Sequence, residues 1–171
     1  MLILIMGKNS SGKSVFAEQM AVDFQKTRYY IATMKPYGDS GMARVYKHQK
    51  QRAGMGFTTL ERPYNVSGAD IPPNTVALLE DVSNLLANAM FEKHADAAEV
   101  LADITALCSR THCVVAVTIS EFENGTYDEE TLRYMRALAW LNEQLWQLAK
   151  VVVEMKEGLP IYRKGAPDEL A

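Results

Sequence analysis

The run Gly7-Lys8-Asn9-Ser10-Ser11-Gly12-Lys13-Ser14 fits GxxxxGK[ST], a pattern whose residue types suit the phosphates of a nucleoside triphosphate. Gly7 and Gly12 permit backbone conformations that a β-carbon would obstruct, so successive N–H groups can point inward at phosphate oxygens. Lys13 would reach the β and γ phosphates, and the Ser14 hydroxyl would ligate Mg²⁺. The flanks are those the motif requires. The strand-like run Leu2 to Met6 precedes it, and a helical pattern of Val15, Phe16, Met20, Val22 and Phe24 follows, its positive dipole end turned to the phosphates. The plain alternative is a Gly/Ser turn joining a strand to a helix.

Three other stretches carry residues fit for chemistry. Glu80 and Asp81 follow the apolar run Val76 to Leu79, where P-loop proteins place an acid beside Mg²⁺. Either could serve as metal ligand, with Glu80 the first choice, and Asp81 could instead start a helix as an acid favoured by the dipole. Ser120 and Glu121 follow Cys113 to Ile119; Glu121 could accept a proton or orient a substrate hydroxyl, or belong to a solvated loop. Third, if Asp39 or Ser40 caps a helix, Arg44, Lys47, His48, Gln51 and Arg52 fall at i, i+3, i+4, i+7 and i+8, on one face. Surrounding cations disfavour imidazolium and keep His48 neutral, the form that acts as nucleophile or base, and they can balance charge on a phosphate. A solvated basic face with an incidental histidine is the alternative. His94 and His112 have no such surroundings.

The elements that must position these residues alternate. Strand-like runs cover Leu2 to Met6, Tyr29 to Thr33, Phe57 to Glu61, Val76 to Leu79, Cys113 to Ile119, Val151 to Met155 and Leu159 to Tyr162, and helical patterns fill 13–26, 42–52, 82–91, 96–109 and 129–149. Continuous apolar runs such as VALL and VVAVTI suit strands buried on both faces, hence an α/β fold with a mostly parallel sheet flanked by helices. The last two strands, joined across Lys156, Glu157 and Gly158, read as an edge hairpin. Ligands of such sheets gather at the carboxyl ends of the strands, where the candidate residues lie. The 171 residues, 48% of them hydrophobic, suit a single domain, with a polar, frayed tail from Lys164 to Ala171. A net charge of −3 argues against binding to nucleic acid or an anionic membrane. LILIM is too short to span a bilayer and lacks a cationic segment before it. Cys108 and Cys113 suit a reducing cytoplasm, and a helix end running into a buried strand explains them and His112 better than a metal site does.

The chain resembles the bifunctional adenosylcobinamide kinase/adenosylcobinamide-phosphate guanylyltransferase family from Met1 to about Ile161. The resemblance is carried by GKNSSGKS, YYIAT, RVYKHQKQR, FTTLE, VALLEDVSNLLANAMF, VVAVTISE, and a long helix with RYMR and Asn142. It implies a RecA-like P-loop domain with two activities at one nucleotide site. One phosphorylates adenosylcobinamide at its aminopropanol hydroxyl with GTP or ATP. In the other, a histidine takes GMP from GTP and passes it to adenosylcobinamide phosphate. The family's histidine pattern, like RIxxHxxxR, falls on Arg44, His48 and Arg52, making His48 the expected nucleophile, with Glu61 of FTTLE at the nucleotide. A trimer is also implied, and Trp140 and Trp146 on the long helix are the expected exposed contacts. The chain departs from the family at Ser10, where arginine is usual, and at Asp39-Ser40-Gly41 in place of DEM. Residues 120–128 keep only Glu121 and a displaced glycine of NEVGxGIVP, and Ala137, Trp140 and Glu143 replace Asp, Gly and Gln of RxFRDxxGxxNQ. A small-molecule kinase of altered substrate with an idle His48, or a non-catalytic nucleotide-binding regulator, stays open on the sequence.

Overall fold

In the computed structural model, which describes residues 1–35 and 38–170, with side chains to residue 168, the first strand already divides two cores. Along β1 (Leu2–Gly7), Leu2 and Leu4 enter one apolar cluster while Ile3 and Ile5 enter the other, as the two-residue period of a strand requires. All four are buried, so this strand lies inside the sheet with both faces covered. The chain continues through α1 (Lys13–Asp23), β2 (Arg28–Ala32), α2 (Gly38–Arg52), β3 (Phe57–Glu61), β4 (Val76–Glu80), α3 (Val82–Lys93), α4 (Ala97–Arg110), β5 (Cys113–Ile119), α5 (Glu129–Leu148), β6 (Val151–Lys156) and β7 (Leu159–Lys164).

The strands form one sheet in the order β3-β2-β4-β5-β1-β6-β7. Every neighbouring pair is parallel except β6 with β7. The core under α3, α4 and α5 gathers Leu85, Ile104, Leu107, Leu138 and Leu141, and α1 covers the other face with Ala17, Met20 and Ala21. The expected edge hairpin is present. Glu157 and Gly158 at its tip both have positive φ, the requirement of the two-residue turn whose twist matches the flanking strands. Pro160 is tolerated because β7 is an edge strand and its missing N–H leaves no ladder partner unsatisfied.

Some boundaries differ from the pattern-based expectation for local reasons. The first helix ends at Asp23 rather than 26, because Gln25 takes a left-handed conformation (φ 53°). The second begins at Gly38, so Asp39 and Ser40 lie in its first turn instead of capping it, and Asp39 there faces the positive dipole end. Thr33 lies just beyond β2, and the polar tail holds a 3₁₀ turn at Pro167–Leu170. Pro36 and Tyr37 are outside the described residues. At the start of α4 the Asp96 carboxylate accepts from Glu99 N at 2.9 Å while Glu99 returns a bond to Asp96 N at 3.1 Å. Asp96→Ala should therefore lower stability by about 0.5–2 kcal/mol in urea unfolding, with nucleotide binding unchanged.

Candidate active site

The loop between β1 and α1 is shaped by its two glycines. A β-carbon on Gly7 (φ 154°) would meet Met155 O at 2.6 Å and Ser11 Oγ at 2.7 Å, and Gly12 holds a left-handed φ of 91° directly before the helix. The loop is walled on its far side by the hairpin tip, where Gly158 N donates to Ser11 O at 3.2 Å. Lys13 is buried, its Nζ donates to Lys8 O, and burial holds its pKa below the ordinary lysine value against the pull of Asp81 and Glu80. The Lys8 side chain turns outward and pairs with Glu121 at 3.3 Å. Those two residues line a second cavity of about 260 Å³ with Asn9 and Phe122.

Two strands away, β4 delivers its acids to the same place. Ser14 Oγ donates to Glu80 Oε1, and Glu80 Oε2 is buried without a hydrogen-bond partner. Burial pushes the Glu80 carboxyl up to about 7; the Ser14 bond opposes that shift, and Asp81 and Glu18 add to it. Asp81 behaves differently. Its Oδ1 accepts from Asn84 N and Ser83 Oγ, both at 2.7 Å, which makes it the N-cap of α3, while burial raises its pKa against those bonds. Asp81 is thus the acidic helix start that the sequence allowed, and it also lines the cavity described next. Thr33 fixes this corner: its Oγ1 accepts from Asp81 N at 2.7 Å and lies 2.9 Å from the carbonyl oxygens of Glu80 and Asp81. On the far flank, Asn142 of α5 accepts from Thr118 Oγ1 at 2.7 Å and donates to Ile119 O at 2.9 Å, holding the end of β5 in place.

A cavity of about 470 Å³ joins these groups to α2. Its lining takes Asn9, Ser10, Lys13 and Ser14 from the loop, Glu80 and Asp81 from β4, and Arg44, Lys47, His48 and Arg52 from α2, with Glu61 from β3. Gly7, Ser11 and Gly12 shape the loop without lining the cavity by side chain. Burial, then the charges of Arg52, Lys47 and Arg44, lower the His48 pKa, and its Nδ1 is buried with no partner. Arg52 is buried over the Tyr30 ring, 3.4 Å from the centroid, a stacking with no local sequence signal because the partners lie on separate elements. Asn84 and Tyr30 also line the cavity; both fall in stretches that carry the family resemblance, and Asn84 in addition stands three residues beyond an acidic cap. Trp140 is exposed, whereas Trp146 packs against the core instead of standing free, since it follows the buried Leu145 on α5. Cys113 is buried, Cys108 is partly buried against the core, and His112 meets the Phe24 ring edge-on at 5.9 Å.

A glycine-rich loop entering a helix, an acid at the end of a non-adjacent parallel strand, and a strand between them define a RecA-like P-loop nucleotide-binding protein. Solved structures share that fold. A prototypical ATPase from the type III secretion system of pathogenic bacteria matches at a TM-score of 0.53 with 10% identity, over 99% of this chain and 60% of that one. A protein from Pyrococcus horikoshii OT3 matches at 0.56 with 9% identity (99% and 89%), and a KaiC-like protein from the same organism at 0.50 with 10% (97% and 80%). At such identities the likeness concerns the fold alone. The chain belongs to the cobinamide kinase / cobinamide phosphate guanyltransferase family, whose model matches residues 3–162. The bifunctional adenosylcobalamin biosynthesis protein CobU of Escherichia coli (strain K12) is 31% identical over 181 residues, covering 94% of this chain and 98% of that protein. Family membership makes the chain a nucleotide-dependent transferase of cobalamin biosynthesis.

Proposed function

We propose that one cavity serves both transfers, with Lys13, Ser14 and Glu80 acting on the nucleotide phosphates and His48 carrying the guanylyl group. The carrying observation is that these residues, from three separate elements, line the same 470 Å³ space together with Arg44, Lys47 and Arg52. In the kinase reaction the acceptor hydroxyl oxygen of adenosylcobinamide bonds to the γ phosphorus and gives up its proton to solvent as the bond from that phosphorus to the β-phosphate oxygen breaks. Lys13 opposes the charge on the transferring group. In the guanylyl reaction a neutral imidazole nitrogen of His48 bonds to the α phosphorus of GTP and pyrophosphate leaves. An oxygen of adenosylcobinamide phosphate then bonds to that phosphorus and frees the imidazole. Arg44, Lys47 and Arg52 supply the positive charge that such a phosphorus centre needs.

Mg²⁺ fits the residues present. The Ser14 hydroxyl and the Glu80 carboxylate adjoin each other, the second Glu80 oxygen is buried and unpaired, and such hard oxygen donors suit that ion. Bound there with the nucleotide, it would neutralise phosphate charge. Asp81, committed to its cap, stands behind Glu80 in this role. Self-association as a trimer belongs to the same reading, through Leu132, Trp140 and Leu148, which stand exposed along α5. So do a single nucleotide-binding domain and a cytoplasmic setting; no helix among the described residues is long and apolar enough to cross a membrane.

Incubation with α-labelled and γ-labelled GTP tests the proposal. Expected are α label that stays with the denatured protein through a linkage labile to acid and stable to base, γ label that appears on adenosylcobinamide, and loss of both when EDTA removes the divalent ion. GTP binding with neither turnover nor transfer of either label would reject it in favour of a non-catalytic nucleotide binder.

A further inference from the structure

Helix α2, which carries His48, has little to hold it by packing. Among the described residues of the molecule, Arg52 is the member of this helix that is buried, while Met42 and Tyr46 are 57% and 68% exposed. A surface helix is ordinarily fixed by an apolar stripe turned to the core, and α2 lacks one. Two side-chain links in its last turn take that place. Arg52 stacks on Tyr30 of β2, and Gln51 Nε2 donates to Glu18 Oε2 at 2.7 Å. Beyond this turn come Gly54 and Gly56, both at positive φ (83° and 74°), which give the connection to β3 a sharply turned backbone.

Glu18 is the unusual partner. It sits on α1 with 0% exposure, and a carboxylate is rarely retained there without a compensating group, because burial opposes its charge. Burial raises its pKa, and the Gln51 hydrogen bond and the Arg52 charge oppose that shift. Its other oxygen, Oε1, and Arg52 Nη1 are both buried without a hydrogen-bond partner. Thus the two groups that compensate Glu18 both come from α2. Their spacing is also informative. Ser14 precedes Glu18 by one helical turn on α1, and His48 precedes Gln51 and Arg52 by one turn on α2, so each pair shares a helix face.

We propose that Glu18 is a positioning residue for guanylyl transfer, tying the histidine helix to the helix that begins in the phosphate loop so that imidazole and phosphates keep one separation. This rests on the assignment of His48 as the guanylyl carrier. Glu18 touches neither nucleotide nor acceptor in this account; it acts through Gln51 and Arg52. Misplacing a reacting group by about 1 Å from a distance can cost about 10²-fold in rate. The link matters to the imidazole, carried on α2, more than to γ transfer, whose groups lie on the loop and β4.

Glu18→Ala and the surface variant Gln51→Ala should each slow single-turnover labelling from α-labelled GTP by about 10- to 100-fold, with GTP affinity and γ transfer to adenosylcobinamide unchanged. Glu18→Gln keeps an oxygen for Gln51 and should recover most of the rate lost in Glu18→Ala. Amide hydrogen exchange without nucleotide should quicken across residues 38–52 in both alanine variants and stay as it is in α1. Labelling at the wild-type rate in both alanine variants would overturn the proposal. So would parallel losses in labelling, γ transfer and GTP affinity, which would mark Glu18 as a support of the phosphate loop alone. Should the wild-type protein take up no α label, the histidine assignment fails first, and unchanged exchange at 38–52 would then sink the positioning role separately.

Discussion

Replacing His48 with alanine is expected to bring covalent α label to background while γ-phosphoryl transfer to adenosylcobinamide continues. The asymmetry follows from the lining of the site. Guanylyl transfer needs a nucleophile of its own, and His48 is the histidine among the described residues that shares the cavity with Lys13 and Ser14. Phosphoryl transfer needs position and charge, which the loop and β4 supply without an imidazole. The pH dependence provides a second check. Burial, Arg52, Lys47 and Arg44 lower the His48 pKa, so the neutral, nucleophilic form persists below the ordinary histidine value near 6.5. At saturating Mg²⁺, which would keep Glu80 ionised, the labelling rate should therefore hold as pH falls to about 6.5 and drop only at lower pH, since protonation of the imidazole removes the lone pair that attacks. A His48→Ala protein that still labels would remove the histidine from this role.

Lys13→Ala should affect both activities. Removing one preorganised cationic donor from a phosphate site reduces turnover by about 10²–10³-fold, and NTP binding should weaken with it. Stability should survive, because the Lys13 ammonium is buried against its own electrostatic preference and donates to the Lys8 carbonyl rather than to a core partner. Equilibrium binding of labelled NTP, turnover and a thermal melt separate the possibilities. Comparable affinity and turnover in the variant would refute the assignment, and a collapsed melting transition would show that the lysine holds the fold.

The strands are readable because burial on both faces leaves few polar residues to interrupt runs such as VALL and VVAV, and both lie in the sheet where their apolarity implies. The phosphate loop was readable because its glycines answer to backbone geometry rather than to distant partners. Glu18 was not. In AEQM it stands among ordinary helix residues, and nothing local distinguishes a carboxylate turned to solvent from one turned inward until α2 is folded against α1. The Arg52–Tyr30 stack is hidden for the same reason, being created by β2 and α2 meeting. Asp81 shows an intermediate case: the sequence admits both a metal ligand and a helix cap, and only the bonds to Asn84 and Ser83 show which lone pairs are already in use. Trp146 shows the converse: a large aromatic at near-helical spacing from an exposed one is partly buried and packs against the core.

The hairpin tip has a practical meaning for protein engineering. Exposed two-residue turns between edge strands are ordinarily convenient places to open new termini or to insert a reporter. Here Gly158 donates to the Ser11 carbonyl, and a β-carbon added at Gly12 would lie 3.5 Å from the Gly158 Cα. A circular permutation or fusion opened between Glu157 and Gly158 would thus be felt at the triphosphate loop, from nearly the other end of the chain. The same proximity makes that turn a place where a fluorophore could report nucleotide occupancy without touching a residue assigned to the chemistry.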